Sequence, residues 1–140
     1  GLNLTTDAIV GFPGEDEEAF LGTARVVEEL GMSKVHVFPY SPRPGTAAAS
    51  MPGRPEPDVL RDRSARLRDL SDRLGFAHRM GRVGSDDAVL LETRHDDGTL
   101  TGFGRDYTSI VMKTYEGGPG AMEPVHIAEL AGQHLEGRPL

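Results

Sequence analysis

The residues able to do acid–base or metal chemistry are scattered. The chain has 140 residues, five histidines and no cysteine. His36, His78, His95, His126 and His134 show no H-x-x-x-H or related spacing of metal ligands. His36 and His126 alternate with valine or isoleucine, the pattern of a residue on a sheet face. No G-x-S-x-G elbow is present to support a serine nucleophile. Glu17-Glu18 and Asp96-Asp97 read as a helix start and a turn, not as an acid–base carboxylate pair.

Two loops carry more information. The first lies in "TTDAIVGFPGEDEEAF", Thr5 to Phe20, where an apolar run meets Gly11-Phe12-Pro13-Gly14. It lacks both the G-x-G-x-x-G spacing and a terminal Gly-Lys-Ser/Thr, and Pro13 removes a backbone donor, all of which argues against a nucleotide-phosphate cradle. Gly11 and Gly14 permit a backbone to pass close to a flat ligand, although a plain βα turn needs the same residues. The second is "HVFPYSPRPGTAAASM", in which Phe38 and Tyr40 lead into a proline-rich loop displaying Ser41, Arg43 and Thr46.

The elements that position these loops follow from local pattern. Leu4 to Phe12 reads as a buried strand centred on Ile9 and Val10. Asp16 is placed to cap a helix with Glu17 and Glu18 in its first turn, and Phe20, Thr23, Ala24, Val27 and Leu30 recur at helical spacing up to Gly31. Lys34 to Tyr40 is a second strand, so the segment is a βαβ unit with parallel strands. Ser41 to Pro57 is irregular. Asp58 can cap a further helix with a narrow stripe of Leu60, Leu67, Leu70 and Leu74, weakened at Gly75. Between Arg61 and Arg82 this stretch carries seven arginines against three aspartates, and either a phosphate-binding face or a solvated face with Asp–Arg pairs fits that pattern.

Beyond residue 80 the texture changes to short strands. "DAVLLETR" and "TLTGFG" flank a turn at Asp97-Gly98, and "YTSIVMKTY" and "EPVHIAEL" supply a third and fourth strand. The expected architecture is α/β followed by all-β: a parallel βαβ unit with a long helix in residues 1–80 and a small antiparallel β-barrel in 81–140. The net charge of −7 argues against nucleic-acid binding by bulk electrostatics alone. No apolar run reaches the roughly 18 residues of a membrane span, and no Lys/Arg-flanked apolar stretch of the leader type is recognisable in these 140 residues.

Together, "TTDAIVGFPGE" and "HVFPYSPRPGTAA", in that order and joined by one helix, resemble the radical-SAM methylthiotransferases that modify tRNA. The His-Val-Phe-Pro-Tyr-Ser form is most similar to the branch acting on threonylcarbamoyl-adenosine. The resemblance implies a cytoplasmic enzyme that puts a methylthio group on an adenosine beside the anticodon, using S-adenosylmethionine (SAM) and 4Fe-4S clusters. It implies that residues 1–80 are the end of a parallel (β/α) barrel, in which Ile9, Gly11, Phe12, Glu15, Val37 and Phe38 wall the SAM site. Arg43 then suits the SAM carboxylate, an RNA phosphate or an ion pair that locks its loop.

Residues 81–140 resemble the TRAM domain that closes such enzymes. This implies RNA contacts from Phe103, Arg105, Tyr107 and Lys113, with Arg63 and Arg66 of the arginine-rich helix adding phosphate contacts. Two features depart from the family. Residues 81–140 carry five Lys/Arg against ten Asp/Glu, which leaves little for counterion release. The cysteines that hold an iron–sulfur cluster are absent, so the chain is expected to be an inactive C-terminal piece that needs the N-terminal part of the same enzyme. The rival expectation is a stand-alone RNA-binding accessory module of the TRAM type.

Overall fold

A computed structural model describes residues 2–113 and 115–140. It divides into two compact units, Leu4–Gly75 and a second made of Phe76–Leu140 with the N-terminal residues up to Asn3.

In the first unit, strand β1 (Thr5–Val10) is followed by helix α1 (Glu17–Glu29) and strand β2 (Lys34–Pro39). The strands pair in parallel, with Asp7 beside His36 and Ile9 beside Phe38. Asp16 caps α1 by accepting from the Ala19 amide at 2.8 Å. The helix ends at Gly31, whose φ of +60° lets the Gly31 and Met32 amides reach back to Glu28 and Val27. A 3-10 turn at Ala47–Ser50 interrupts the proline-rich loop, and helix α2 runs from Pro57 to Met80. Proline suits a first helical position because its missing N–H would have had no helical partner. Asp58 therefore lies inside the first turn, where it pairs with Arg61, and does not cap it. The helix also continues past Gly75, which is buried.

Only one face of this sheet is buried. Val10 and Val35 pack with Phe20 and Val27 of α1 and with Leu67 and Leu70 of α2. Ala8 and Val37 flank that core, whereas Ile9 and Phe38 on the opposite face stay 58% and 51% exposed. The expectation of a strand buried around Ile9 is corrected accordingly: period-two alternation sends Ile9 away from the helices. The Ser71 hydroxyl on α2 accepts from the Val35 amide at 2.9 Å inside the core, satisfying a donor that the two-stranded sheet leaves over.

The second unit is a closed five-stranded barrel. Its strands are β3 (Asp86–Arg94), β4 (Leu100–Phe103), β5 (Ser109–Met112), β6 (Met122–Ala131) and β7 (His134–Pro139), in the order β3-β4-β5-β7-β6. Val89, Leu91, Leu100, Ile110, Met112, Val125, Ile127 and Leu135 fill it. Asp97-Gly98 does make the β3–β4 turn, with Gly98 at φ +85°. Two details differ from expectation. The β5–β7 pairing is parallel, so the barrel is not wholly antiparallel. A fifth strand, β7, follows a two-residue Gly132-Gln133 loop whose Gly132 has φ +63°. The expected third strand ended at Tyr115; β5 stops at Met112, and Thr114 lies outside the described residues.

Candidate functional site

An open groove of about 490 Å³ lies on the exposed face of the β1–β2 sheet, at the C-terminal ends of its strands. Asp7, Ile9, Phe12, Phe38, Pro39, Tyr40, Ser41, Arg43, Thr46 and Ala48 line it. Crevices at that end of parallel strands are where α/β folds bind ligands. Its floor is apolar, from Ile9, Phe12 and Phe38. The rings of Phe12 and Tyr40 meet edge to face at 5.3 Å and 70°, so each fixes the other's tilt. The Tyr40 hydroxyl is shielded from solvent and has no hydrogen-bond partner among the described residues. Arg43 sits on the rim, and its exposed guanidinium makes no salt bridge among the described residues. Its carbonyl instead holds the loop by accepting from both the amide and the hydroxyl of Thr46.

The structure gathers Ile9, Phe12, Phe38 and Arg43 in this groove. It places the other three residues expected there elsewhere. Val37 faces the helical core. Gly11, at φ +79°, passes so close to α2 that a Cβ there would lie 2.4 Å from a Leu60 methyl, so its missing side chain serves packing against α2. Glu15 turns back under the loop, where its carboxylate accepts from the Gly11 amide at 3.1 Å and pairs with Arg63 at 3.0 Å.

That pairing also relocates Arg63, expected on an RNA-facing surface. Arg63 is 5% exposed, donates to the Glu15 carbonyl at 2.8 Å and reaches Glu17 at 3.3 Å. An arginine so enclosed clamps the loop and offers no free charge to a phosphate. Arg66 is half-exposed but engaged, with Glu17 at 2.7 Å, Asp62 at 3.2 Å and the Phe20 ring 4.7 Å from its guanidinium carbon. The hydrogen bond from Arg66 draws the Glu17 carboxyl below its ordinary range, outweighing the opposing desolvation. The signal for this arrangement was the acidic run Glu15 to Glu18 facing an arginine-rich helix; spacing alone did not say which arginine would turn inward.

On the barrel, the expected RNA contacts separate. Phe103 is 42% exposed and lines a recess of about 310 Å³ on the outer face. Tyr107 is 85% exposed and holds a left-handed φ of +61°. Arg105 is exposed, with Asp87 3.7 Å away. Lys113 is bound to Glu136, whose hydrogen bond raises the ammonium's affinity for its proton. Among the described residues no group of three histidine and carboxylate side chains is arranged to hold a metal ion. No helix of the described residues is long and apolar enough to cross a membrane.

The sequence matches no family model. It is 39% identical over 140 residues to a tRNA-2-methylthio-N(6)-dimethylallyladenosine synthase of Thermobifida fusca, covering 94% of this chain and 28% of that protein. Identity to the protein of the same name from Tropheryma whipplei is 43% over 90 residues, covering 64% of this chain and 19% of that protein. A threonylcarbamoyladenosine tRNA methylthiotransferase of Bacillus subtilis is 33% identical over 144 residues, covering 99% of this chain and 32% of that protein. The chain thus spans less than a third of these relatives. Both substrate branches match, and the identities do not favour the threonylcarbamoyl branch over the dimethylallyl one.

Proposed function

We propose that this chain, which belongs with the C-terminal part of the tRNA methylthiotransferase family, is the end of an enzyme adding a methylthio group to C2 of an N6-modified adenosine next to the anticodon. The observation that carries the reading is the groove, because the two sequence motifs shared with that family converge on its walls.

The groove suits part of a SAM molecule. Ile9, Phe12 and Phe38 offer a flat apolar wall for a purine. Asp7 can accept from a ribose hydroxyl or an ammonium group. Arg43, whose guanidinium has no carboxylate partner among the described residues, can bind a carboxylate in the two-pronged manner arginine favours. The unpartnered Tyr40 hydroxyl is an adjacent polar group that a ligand can satisfy. Bound SAM would supply both the radical and the methyl group. An iron–sulfur cluster does not fit this chain, since clusters are held by thiolates and the sequence has no cysteine. The cluster belongs to the preceding part of the parent enzyme, and the isolated chain is inactive.

In this reading residues 1–80 close a parallel barrel, whose interior covers the open face of β1 and β2. Residues 81–140 form a TRAM domain that binds tRNA, and the parent acts in the cytoplasm. Sequencing the upstream reading frame tests the assignment: a C-x-x-x-C-x-x-C motif is expected, and its absence would overturn it. In the reconstituted parent, Arg43→Ala should raise the Kd for SAM at least tenfold.

A second reading, a stand-alone RNA-binding accessory module, is favoured by the barrel's self-contained core and its outward Phe103 and Tyr107. It predicts salt-sensitive tRNA binding by the 140-residue chain. An open reading frame that begins with this chain would favour it over the enzyme fragment.

A further inference from the structure

The recess around Phe103 is more than an exposed aromatic. On β4, Leu100 and Gly102 point into the barrel while Thr101 and Phe103 point out. Phe103 pairs with Ser109 across β5, and Thr101 with Thr93 across β3, so these side chains share one outer face. A register shift in β3 between Leu91 and Thr93 lies opposite Gly102. Bulges of this kind bend a strand and re-aim the side chains beside them. A Cβ on Gly102 would stand 1.9 Å from the Leu90 carbonyl oxygen, so β4 runs tight against β3 beside this recess.

Two imidazole–hydroxyl pairs edge the recess. His95 Nε2 lies 2.9 Å from Thr101 Oγ1, and His134 Nδ1 lies 2.8 Å from Ser109 Oγ. Each ring is thereby oriented, and among the described residues neither second nitrogen has a hydrogen-bond partner. Imidazole and hydroxyl groups can both donate and accept, which suits the edge of a heterocycle. Among the described residues the lining contains no lysine or arginine and does contain Glu92. A phosphate is therefore repelled, whereas the amino group of a base finds an acceptor, as carboxylates do with cytosine N4. A volume of about 310 Å³ is small for a ligand pocket, near the lower end of the usual range of roughly 300–1,000 Å³.

We infer that this recess is a subsite for one unpaired nucleobase bearing an exocyclic amino group, stacked on Phe103 and held at its edge by His95, His134 and Glu92. The inference rests on the RNA-binding reading of the barrel and adds to it a location and a base class. It also explains how an acidic barrel can engage RNA, because stacking on a π-face needs no net positive charge.

The test uses the whole 140-residue chain at low salt and a 12-nucleotide single-stranded RNA with one central 2-aminopurine. Binding should quench the probe's fluorescence. Phe103→Ala should abolish the quench and weaken binding about 5- to 150-fold, the range for loss of one stacked base, and Phe103→Trp should restore both. Oligo(A) should bind better than oligo(U), with the preference lost in Glu92→Ala. Should Phe103→Ala fail to fold, the double variant Ser109→Ala/His134→Ala carries the same expected loss. Unchanged quench and affinity in a folded Phe103→Ala would overturn the subsite while leaving RNA binding intact. Binding of folded tRNA without any binding of the oligonucleotide would overturn it too. Failure to bind any RNA would overturn the RNA-binding reading itself.

Discussion

Arg63 Nη1 lies 3.0 Å from Glu15 Oε1, and the two side chains are almost closed to solvent, at 6% and 11% exposure. The pair joins the βα loop at the end of β1 to the second turn of α2. Because Glu15 also accepts from the Gly11 amide, the pair fixes the backbone that leads to Phe12 in the groove. Removing one partner of a buried ion pair leaves the other charge unsatisfied, at a cost of about 3–5 kcal/mol. Arg63→Ala should therefore lower the stability of the first unit by about that amount in urea unfolding followed by circular dichroism. Arg66→Ala, which removes two solvent-screened pairs, should cost far less than Arg63→Ala.

The groove and the core of the first unit should separate cleanly under mutation. Leu67 is fully buried, and Leu67→Ala should cost about 2–5 kcal/mol through lost burial and a cavity. Phe38→Ala removes a larger side chain from an exposed position and should change stability by no more than about 0.5 kcal/mol. Chemical denaturation of both variants checks this. A large destabilisation by Phe38→Ala would show that the aromatic is there for packing, not for a ligand.

In the barrel, Gly102→Ala should be among the most damaging small substitutions. The added carbon would meet backbone at 1.9 Å, which β3 can relieve only by moving. A loss of about 3 kcal/mol or barrel unfolding is expected, at the upper end of overpacking effects. Gly118→Ala, with no atom within 4 Å of the added carbon, is the matched control and should be neutral. Amide hydrogen exchange across β3 and β4 would report the difference strand by strand.

Acid should weaken the second unit through Asp106. Its carboxylate meets Arg82, His78 Nε2 at 3.2 Å and the Thr108 amide at 3.0 Å, while Arg82 also reaches Asp87 at 2.7 Å. Burial alone would raise the Asp106 pKa, but hydrogen bonds from Thr108 and Arg82 outweigh it and bring it from 3.8 to about 2. A depressed carboxylate contributes stability above its unfolded pKa and loses it as pH falls through the folded value. The contribution, on the order of 2 kcal/mol, should be complete near neutrality and disappear between about pH 4 and pH 2. Scanning calorimetry should show this acid limb in the native chain and a flatter one in Asp106→Asn, which should also melt lower at pH 7.

Much of this protein is set by its one-dimensional pattern. The βαβ unit, the Asp16 cap, the Gly31 stop and the Asp97-Gly98 turn follow from neighbours a few residues apart, whose steric and hydrogen-bonding demands are local. The two loop motifs likewise mark where the groove lies. Tertiary packing decided the rest. Whether Ile9 faces a core or a groove depends on which face the helices cover, and the alternation of a strand is blind to that choice. Seven arginines look equivalent along the chain until packing buries one of them against Glu15. Only closure of the barrel brings His95 and His134, 39 residues apart, to the two sides of Phe103. Such groupings arise from long-range contacts, in which chain separation carries no information about distance.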